Sequence, residues 1–220
     1  MKISYKWLVE YVSVPADAAQ VAAAHTMSGT EIEGLEHFTV APEVVVARIL
    51  SVSPHPNADK LRLCEVDGGS ATYRVVCGAP NARAGLLTAF APVGTRLSEE
   101  FTVKQAKIRG EESFGILLSE RELGLTDDHG GIMELDEQLV PGTPLVQALD
   151  LEDWVLEVNV TPNRGDCLSV LGLARELSAI YRTEVRLPEA RIVESAERSS
   201  LTVEIRDREA CPRYSARELK

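Results

Sequence analysis

One histidine lies among turn-forming residues in SPHPNADKLRLCEVDGG, the segment that runs from 53 to 69. His55 could act as a general base, because Asp59 is near enough in sequence to orient its ring. The two prolines instead favour a turn in which Asn57 and Asp59 bond to nearby backbone and His55 packs locally. No nucleophile stands at a set distance from His55. We therefore predict an architectural loop, in which Lys60 is the residue best suited to contact a phosphate.

The four cysteines are the next candidates for chemistry, and their spacing argues against a metal centre. No C-x-x-C pair occurs, and the intervals are too wide and irregular for a zinc site or a disulfide framework. Cys77 could be a nucleophile if a base lowered its pKa, but a cysteine that ends an apolar strand more often belongs to the core. We predict mostly buried, free thiols with no catalytic or metal-binding role: Cys64, Cys77, Cys167 and Cys211.

Basic side chains concentrate in TVKQAKIRGEES, which spans 102–113. Lys104, Lys107 and Arg109 fall there in one strand-and-turn segment, which could contact phosphates from a barrel face. An edge strand that lysines guard against aggregation would show the same pattern, so both interpretations stay open. The candidate RNA-binding residues of the chain are Lys60, Arg62, Arg74, Lys104, Lys107 and Arg109.

The charge distribution limits how the chain could bind a nucleic acid. A formal net charge of −11 over 220 residues argues against binding through bulk positive charge, and no DNA partner is expected. Residues 40–119 are close to neutral, with nine basic and eight acidic side chains, so a local basic face is compatible with the composition. The few aromatic residues of this segment favour weak contact with the nucleic-acid backbone over base readout: Tyr73, Phe90, Phe101 and Phe114.

Hydrophobic patterning predicts the elements that carry these residues. We expect residues 1–38 to be helical, with Ser4 as an N-cap and Gly29 as a stop signal. Short β-branched or alternating segments between 44 and 119, punctuated by glycine, proline and asparagine, predict a small barrel or sandwich. Apolar residues at helical spacing predict a helix that ends near Tyr181. A further strand is expected at 201–207.

The segment TPNRGDCLS (161–169) precedes that helix. A helix N-terminus can hold a phosphate, but Asp166 would occupy this one, so we predict that Asp166 is the N-cap. Asn163 belongs to the turn before it, and Arg164 could form an interdomain or intersubunit salt bridge. We count these three residues as a structural motif, together with His55, Asn57 and Asp59.

Several long motifs resemble known proteins. PHPNADKLRLCEVDGG, VVCGAPNARAG and IRGEESFGILLSERELGL resemble the tRNA-binding OB-fold of the EMAP type. With MKISYKWLVEYV before this module and VTPNRGDCLSVLGLARELSAIY after it, the chain resembles the start of the β subunit of bacterial phenylalanyl-tRNA synthetase. CPRYSAR resembles the entry to the next module of that subunit, part of its editing region.

This resemblance implies an α+β fold, in which a five-stranded OB-type β-barrel is inserted into a small split α/β domain. The split domain would comprise 1–39 and 152–190, the barrel 40–151, and a linker with the start of the next domain 191–220. The family's β subunit pairs with an α subunit in an α2β2 tetramer that attaches phenylalanine to tRNA with ATP and Mg²⁺. Because the aminoacylation site is in the α subunit and the editing pocket lies beyond residue 220, the resemblance implies no catalytic site, cofactor or metal in this chain.

Two other classes of function remain as alternatives. A free-standing tRNA-binding or chaperone-like OB protein is disfavoured by the helices that flank the barrel segment. An independent enzyme is disfavoured because the chain lacks a glycine-rich phosphate loop, metal-ligand spacing and a nucleophile–base arrangement. No apolar run is long enough for a membrane span or a signal peptide, so we expect a cytoplasmic protein with no membrane contact. Three or four phosphate contacts predict weak tRNA binding by the chain alone, no tighter than about 10⁻⁴ M.

Overall fold

The computed structural model describes residues 1–127, 130–189, 193, 195–197 and 199–218. The chain divides into two compact units, Met1–Arg186 and Leu187–Lys220. Within the described residues, none of the helices combines the length and the apolar character needed to cross a membrane.

Five antiparallel strands form a nearly closed barrel in the middle of the chain. The strands of this region are β3 (Val45–Pro54), β4 (Arg62–Asp67), β5 (Thr72–Cys77), β6 (Leu87–Pro92), β7 (Ala106–Ile108), β8 (Glu111–Ser113) and β9 (Gly115–Leu118). The strand order of the barrel is β5-β4-β3-β6-β9, and a short hairpin, β7–β8, precedes the last strand. The hairpin helps to close the barrel against β5, since the Phe114 N–H donates to Arg74 O at 2.9 Å. The fold class predicted from the sequence, an OB-type barrel in an α+β protein, is confirmed.

The alternation of apolar and polar residues places one face of each strand in the barrel core. In β4, Cys64 and Val66 are buried while Glu65 between them is exposed. Phe90 of β6 is fully buried, and its ring lies 4.9 Å from that of Tyr73 between centroids. Burial of such residues supplies about 1.5–3 kcal/mol per large side chain, which is the main driving force for the barrel.

A second, three-stranded sheet joins two distant parts of the chain. Its order is β1-β10-β2, with β1 at Lys2–Ser4, β2 at Glu31–Phe38 and β10 at Asp153–Asn159. The helices α1 (Tyr5–Tyr11), α2 (Ala18–Met27) and α4 (Val170–Tyr181) pack with this sheet around a core that contains Leu8, Leu156 and Leu173. A short helix, α3 (Leu145–Ala148), packs against the barrel instead.

The prediction that residues 1–38 are wholly helical is wrong at both ends. Lys2–Ser4 and Glu31–Phe38 are strands because β10, more than 100 residues later, hydrogen-bonds to both of them. The predicted cap at Ser4 is confirmed, since its side chain accepts from the Trp7 N–H at 3.0 Å. Gly29 stops α2 with a φ of +97°, a conformation that glycine adopts without strain.

The strand predicted at 201–207 is absent from the structure, which describes all seven of those residues. Most side chains between 199 and 218 are exposed, and no regular element is assigned in that range. A strand requires a neighbour with which to exchange backbone hydrogen bonds, and the described residues of this second unit provide none.

His25, in α2, makes the stability of the protein dependent on pH. The side chain is fully buried, and neither of its ring nitrogens has a hydrogen-bond partner in the described residues. Burial disfavours the charged imidazolium and lowers the His25 pKa to about 4. An unfolded histidine, with a pKa near 6.5, takes up its proton at higher pH, so acidification favours the unfolded chain.

We expect the free energy of unfolding to fall by about 2 kcal/mol between pH 7 and pH 5 on account of His25. Urea titrations at the two pH values measure this loss, and His25→Leu should remove most of it. His37→Gln, at a solvent-exposed histidine, is the matched control and should keep the pH dependence. A pH dependence that is unchanged in His25→Leu would show that another group causes it.

Candidate nucleic-acid interface

The loop between β3 and β4 is fastened to the tip of the β7–β8 hairpin by His55 and Asn57. His55 is buried, and its Nδ1 accepts from the Asn57 backbone N–H at 3.0 Å. Nδ1 is therefore unprotonated, so Nε2 carries the hydrogen and donates it to Ile108 O at 3.0 Å. The Asn57 side chain donates to Arg109 O, also at 3.0 Å. With both ring nitrogens engaged in structural bonds, His55 joins two loops and is not a free base.

The predicted turn is present, but its bonds differ from those expected. The amide of Asn57 bonds to the hairpin 52 residues away rather than to the adjacent backbone. Asp59 is exposed and forms no hydrogen bond within the described residues. Sequence distance hides such a contact, because the hairpin approaches the loop only when the barrel closes.

Arg109 and Gly110 form a two-residue turn between β7 and β8. Their φ values are +52° and +101°, the left-handed pair that tight hairpin turns require. Glycine adopts this conformation readily, but arginine at positive φ is strained by roughly 1 kcal/mol or more. The bond from Asn57 to Arg109 O holds the strained backbone in place, which fixes the point from which the Arg109 side chain extends.

We predict that His55→Ala frees the hairpin tip. The variant leaves Ile108 O and the Asn57 N–H without their partner and should lower the free energy of unfolding by about 2 kcal/mol. Amide hydrogen exchange should accelerate at Asn57, whose N–H loses its acceptor. His37→Ala, at a more exposed histidine, serves as the control. Unchanged exchange at Asn57 in His55→Ala would contradict the fastening role.

OB-folds bind nucleic acids through the second and third strands and through the loops after the first and fourth strands. In this barrel those strands are β4 and β5, and those loops are 55–61 and 93–114. All six candidate RNA-binding residues lie on these four elements. They fall into two groups, which differ in whether their charges are already satisfied.

The strand face is the less basic of the two regions. Outward-pointing Glu65 and Asp67 oppose Arg74 and Thr72, so acidic groups outnumber basic ones there. Arg74 also donates to Glu111 at 2.6 Å. Arg62 is exposed at the start of β4, and its Nη1 donates to Ala82 O at 3.1 Å. The two strand arginines are thus engaged within the protein.

The other four candidates form what we call the loop-end cluster: Lys60, Lys104, Lys107 and Arg109. All four are exposed, and in the described part of the chain none has a side-chain hydrogen bond or ion pair. The fastening bonds bring the loop that contains Lys60 to the hairpin that contains Lys107 and Arg109. Unpaired cations on two fastened loops can contact successive phosphates of an RNA backbone.

The predicted motif at 161–169 has a different geometry from the one expected. Asp166 is not the N-cap of the long helix, because the chain first makes a 3-10 turn at Gly165–Cys167. Ser169 caps α4 by accepting from the Gly172 N–H at 3.0 Å. Asn163 is exposed and makes no side-chain hydrogen bond in the described residues. A second polar residue three positions later could have signalled the true cap.

Arg164 forms the side-chain ion pairs of this turn. Its guanidinium donates to Asp166 at 3.0 and 3.1 Å and pairs with Glu176 of α4 at 2.9 Å. These bonds raise the Arg164 pKa, and the guanidinium lowers the pKa of Asp166. Both ion pairs are local, because they join residues of the turn to one another and to α4.

Residues around Arg164 also form the one group of three side chains, among the described residues, whose types and spacing could hold a metal ion. Asp166, Cys167 and Glu176 place a ligand atom each within 4.8 Å of one another. The cation beside them is Arg164, whose Nη2 also contacts the Cys167 sulfur at 2.9 Å. Magnesium prefers oxygen ligands with near-ideal octahedral geometry, so this guanidinium-bound site does not fit it.

Cys64 and Cys77 are neighbours in the barrel, which their separation in sequence does not reveal. They point inward from adjacent strands, so each thiol affects the ionisation of the other. The neighbouring Cys64 thiol, together with the Ala79 N–H that donates to the Cys77 sulfur at 3.4 Å, lowers the pKa of Cys77, while the pKa of Cys64 is raised. Cys64, Cys77 and Cys167 are buried, and all four cysteines are free thiols, as predicted.

Comparison with known proteins agrees with this geometry. Residues 44–144 match the family described as "Putative tRNA binding domain". The barrel and its loops therefore define an OB-type module of the tRNA-binding class. The chain is also 44% identical, over its whole length, to the phenylalanine–tRNA ligase β subunit of Syntrophus aciditrophicus. Identity to the β subunits of Anaeromyxobacter dehalogenans and Pseudomonas fluorescens is 48% and 43%, over 99% and 100% of the chain.

The chain is thus similar, over its whole length, to part of phenylalanine–tRNA ligase β subunits, which confirms the resemblance seen in the sequence. It spans 28% of the length of each of these relatives. Among solved structures, an RNA ligase of Naegleria gruberi aligns with 51% of this chain and 35% of its own, at 14% identity and a TM-score of 0.36. That likeness is too slight to support a conclusion.

Proposed function

We propose that this chain is a non-catalytic, tRNA-contacting part of a phenylalanine–tRNA ligase β subunit. The observation that carries the proposal is the loop-end cluster, four unpaired cations on the loops with which OB-folds bind nucleic acids. The match of residues 44–144 to the tRNA-binding family supports the same conclusion. Because the strand face is acidic, the contact is directed to phosphates near the loops.

The proposed contact is weak by itself. Three or four phosphate contacts give a salt slope of about −3 and an affinity near 10⁻⁴ M. The net charge of −11 weakens RNA binding further, because RNA is also negatively charged. Such a contact becomes effective when the module is tethered to other tRNA-binding parts, because a high effective concentration then replaces intrinsic affinity.

The activity of the complete protein is part of the same proposal. We propose that it pairs with an α subunit as an α2β2 tetramer in the cytoplasm and attaches phenylalanine to tRNA with ATP and Mg²⁺. The names of the relatives support the ligase assignment. In this proposal, the described residues of this chain do not bind ATP or magnesium. Their role is to bind and orient the tRNA backbone.

A salt titration of this chain with tRNA tests the proposal. We expect a dissociation constant no tighter than about 10⁻⁴ M at physiological salt, with log K falling by about three per tenfold rise in salt. NMR shift changes should concentrate at 55–61 and 104–111. The three-stranded sheet, which carries Lys2 and the acidic Glu36, is the internal reference and should stay unchanged. Shifts confined to that sheet, or none at millimolar tRNA, would reject the role of the barrel.

A further inference from the structure

An open groove lies beside the loop-end cluster, between the 96–103 loop and the β7–β8 hairpin. Its volume is ≈ 540 Å³, and Lys104 belongs to its lining. Val76, Ile108 and Ile116 give the groove an apolar surface, and Gly115 also lines it. The acidic side chain of Glu100 also lines it. An apolar groove with a cation at its edge suits a ligand that has a flat apolar body and a negatively charged group.

Phe101 presents an aromatic ring to this groove. Its side chain is 49% exposed, in contrast to Phe90 of the same barrel, which is completely buried. By residue type the two rings are equivalent, because the sequence does not distinguish a core phenylalanine from an exposed one. An exposed aromatic ring within a nucleic-acid-binding module is a platform on which a base can stack.

Hydrogen bonds restrain the main chain that carries the Phe101 ring. Phe101 O accepts from the Leu97 N–H at 3.0 Å, and the Phe101 N–H donates to Ser98 Oγ at 3.1 Å. Two residues later, Val103 is buried, and its N–H donates to Thr95 O at 2.8 Å. Because the loop is already ordered, stacking on Phe101 loses little conformational entropy.

We infer that this groove receives one unpaired nucleobase, stacked on Phe101, while an adjoining phosphate lies near Lys104. The inference deepens the proposed function and depends on it, since it names the part of the RNA that the module recognises. A base within a duplex has both faces covered by its neighbours, so the site selects unstacked nucleotides in a loop or a single-stranded end. Stacking tolerates any base, which is consistent with contact that lacks sequence readout.

The test compares two RNA probes that carry equal numbers of phosphates. One is an unstructured RNA of about eight nucleotides, within the range of OB-fold site sizes, with a central 2-aminopurine, and the other is a fully paired duplex. Bound to the 220-residue chain, the single strand should change the fluorescence of its 2-aminopurine. Phe101→Ala should lower its affinity roughly 5- to 150-fold with an unchanged salt slope, because no charge is lost.

Matched variants separate this inference from the proposed function. Phe101→Tyr keeps a stacking ring and should retain the affinity, whereas Phe101→Leu keeps only apolar bulk and should behave as Phe101→Ala does. Lys104→Ala should weaken both probes and reduce the salt slope by about 0.7 for the single strand. Equal affinities of Phe101→Ala and the parent chain would overturn the base site. If Lys104→Ala and Phe101→Ala both leave RNA binding unchanged, both the base site and the proposed RNA contact of the barrel are wrong.

Discussion

Replacing Lys104, Lys107 and Arg109 together with alanine should weaken tRNA binding by the full-length ligase roughly hundredfold at physiological salt. Each phosphate contact contributes about 0.9 to the salt slope at duplex-like charge densities, which corresponds to about fivefold in affinity near 0.15 M. Three lost contacts should therefore flatten the slope by about three. The three side chains are exposed and lack partners in the described structure, so their removal should leave the fold intact.

The measurement is a tRNA titration at several salt concentrations, with the parent and the variant side by side. A matched control removes three cations from the three-stranded sheet and its helices, as Lys2→Ala/Lys6→Ala/Arg175→Ala. That control lowers the net charge equally but should change the slope little, because none of its residues lies on the barrel loops. If the two triple variants have the same slope as the parent, the barrel is a scaffold and the loop-end cluster does not contact tRNA.

Gly172→Ala should destabilise the protein by about 3 kcal/mol or more, against the usual trend for helices. Alanine in place of glycine within a helix normally stabilises it by about 1 kcal/mol. In α4, however, a Cβ at position 172 would lie 1.9 Å from Asp166 O and 3.1 Å from the Cys167 Cα. Both are atoms of the 3-10 turn, whose backbone cannot yield as a flexible side chain would. The helix and the turn that carries Arg164 must therefore separate.

Urea unfolding of the parent chain and the variant measures this loss. Gly165→Ala is the matched control, since a Cβ there would have no atom within 4 Å outside its chain neighbours. We expect the control to remain within about 0.5 kcal/mol of the parent. If the Gly172→Ala protein is as stable as the control, the 3-10 turn does not pack against α4 as closely as in the structure.

Local sequence patterns predict the elements whose signals are contained within themselves. The alternation in β4, with Cys64 and Val66 inward and Glu65 outward, is readable because strand residues alternate with a period of two. The Ser4 cap and the Gly29 stop depend on backbone geometry within a few residues, so their residue types identify them. The long motifs around the barrel also indicate the family, because residue identity over many positions is specific without any knowledge of contacts.

Pairing between distant segments cannot be read in that way. The residues of β1 and β2 have sequences compatible with helix, and only the pairing with β10 makes them strands. Asp166 matches the pattern of a cap, but packing inserts a 3-10 turn and leaves that role to Ser169.

The candidate site shows the same division. The sequence alone identifies six basic residues as candidates, since lysine and arginine are the natural partners of phosphate. The tertiary structure decides which charges are free: Arg74 pairs with Glu111 and Arg62 donates to Ala82 O, while the loop-end cations remain unpaired among the described residues. It also separates the buried ring of Phe90 from the exposed ring of Phe101. Charge and residue type are properties of the sequence, but pairing and exposure depend on which atoms the folded chain brings within a few ångströms of one another.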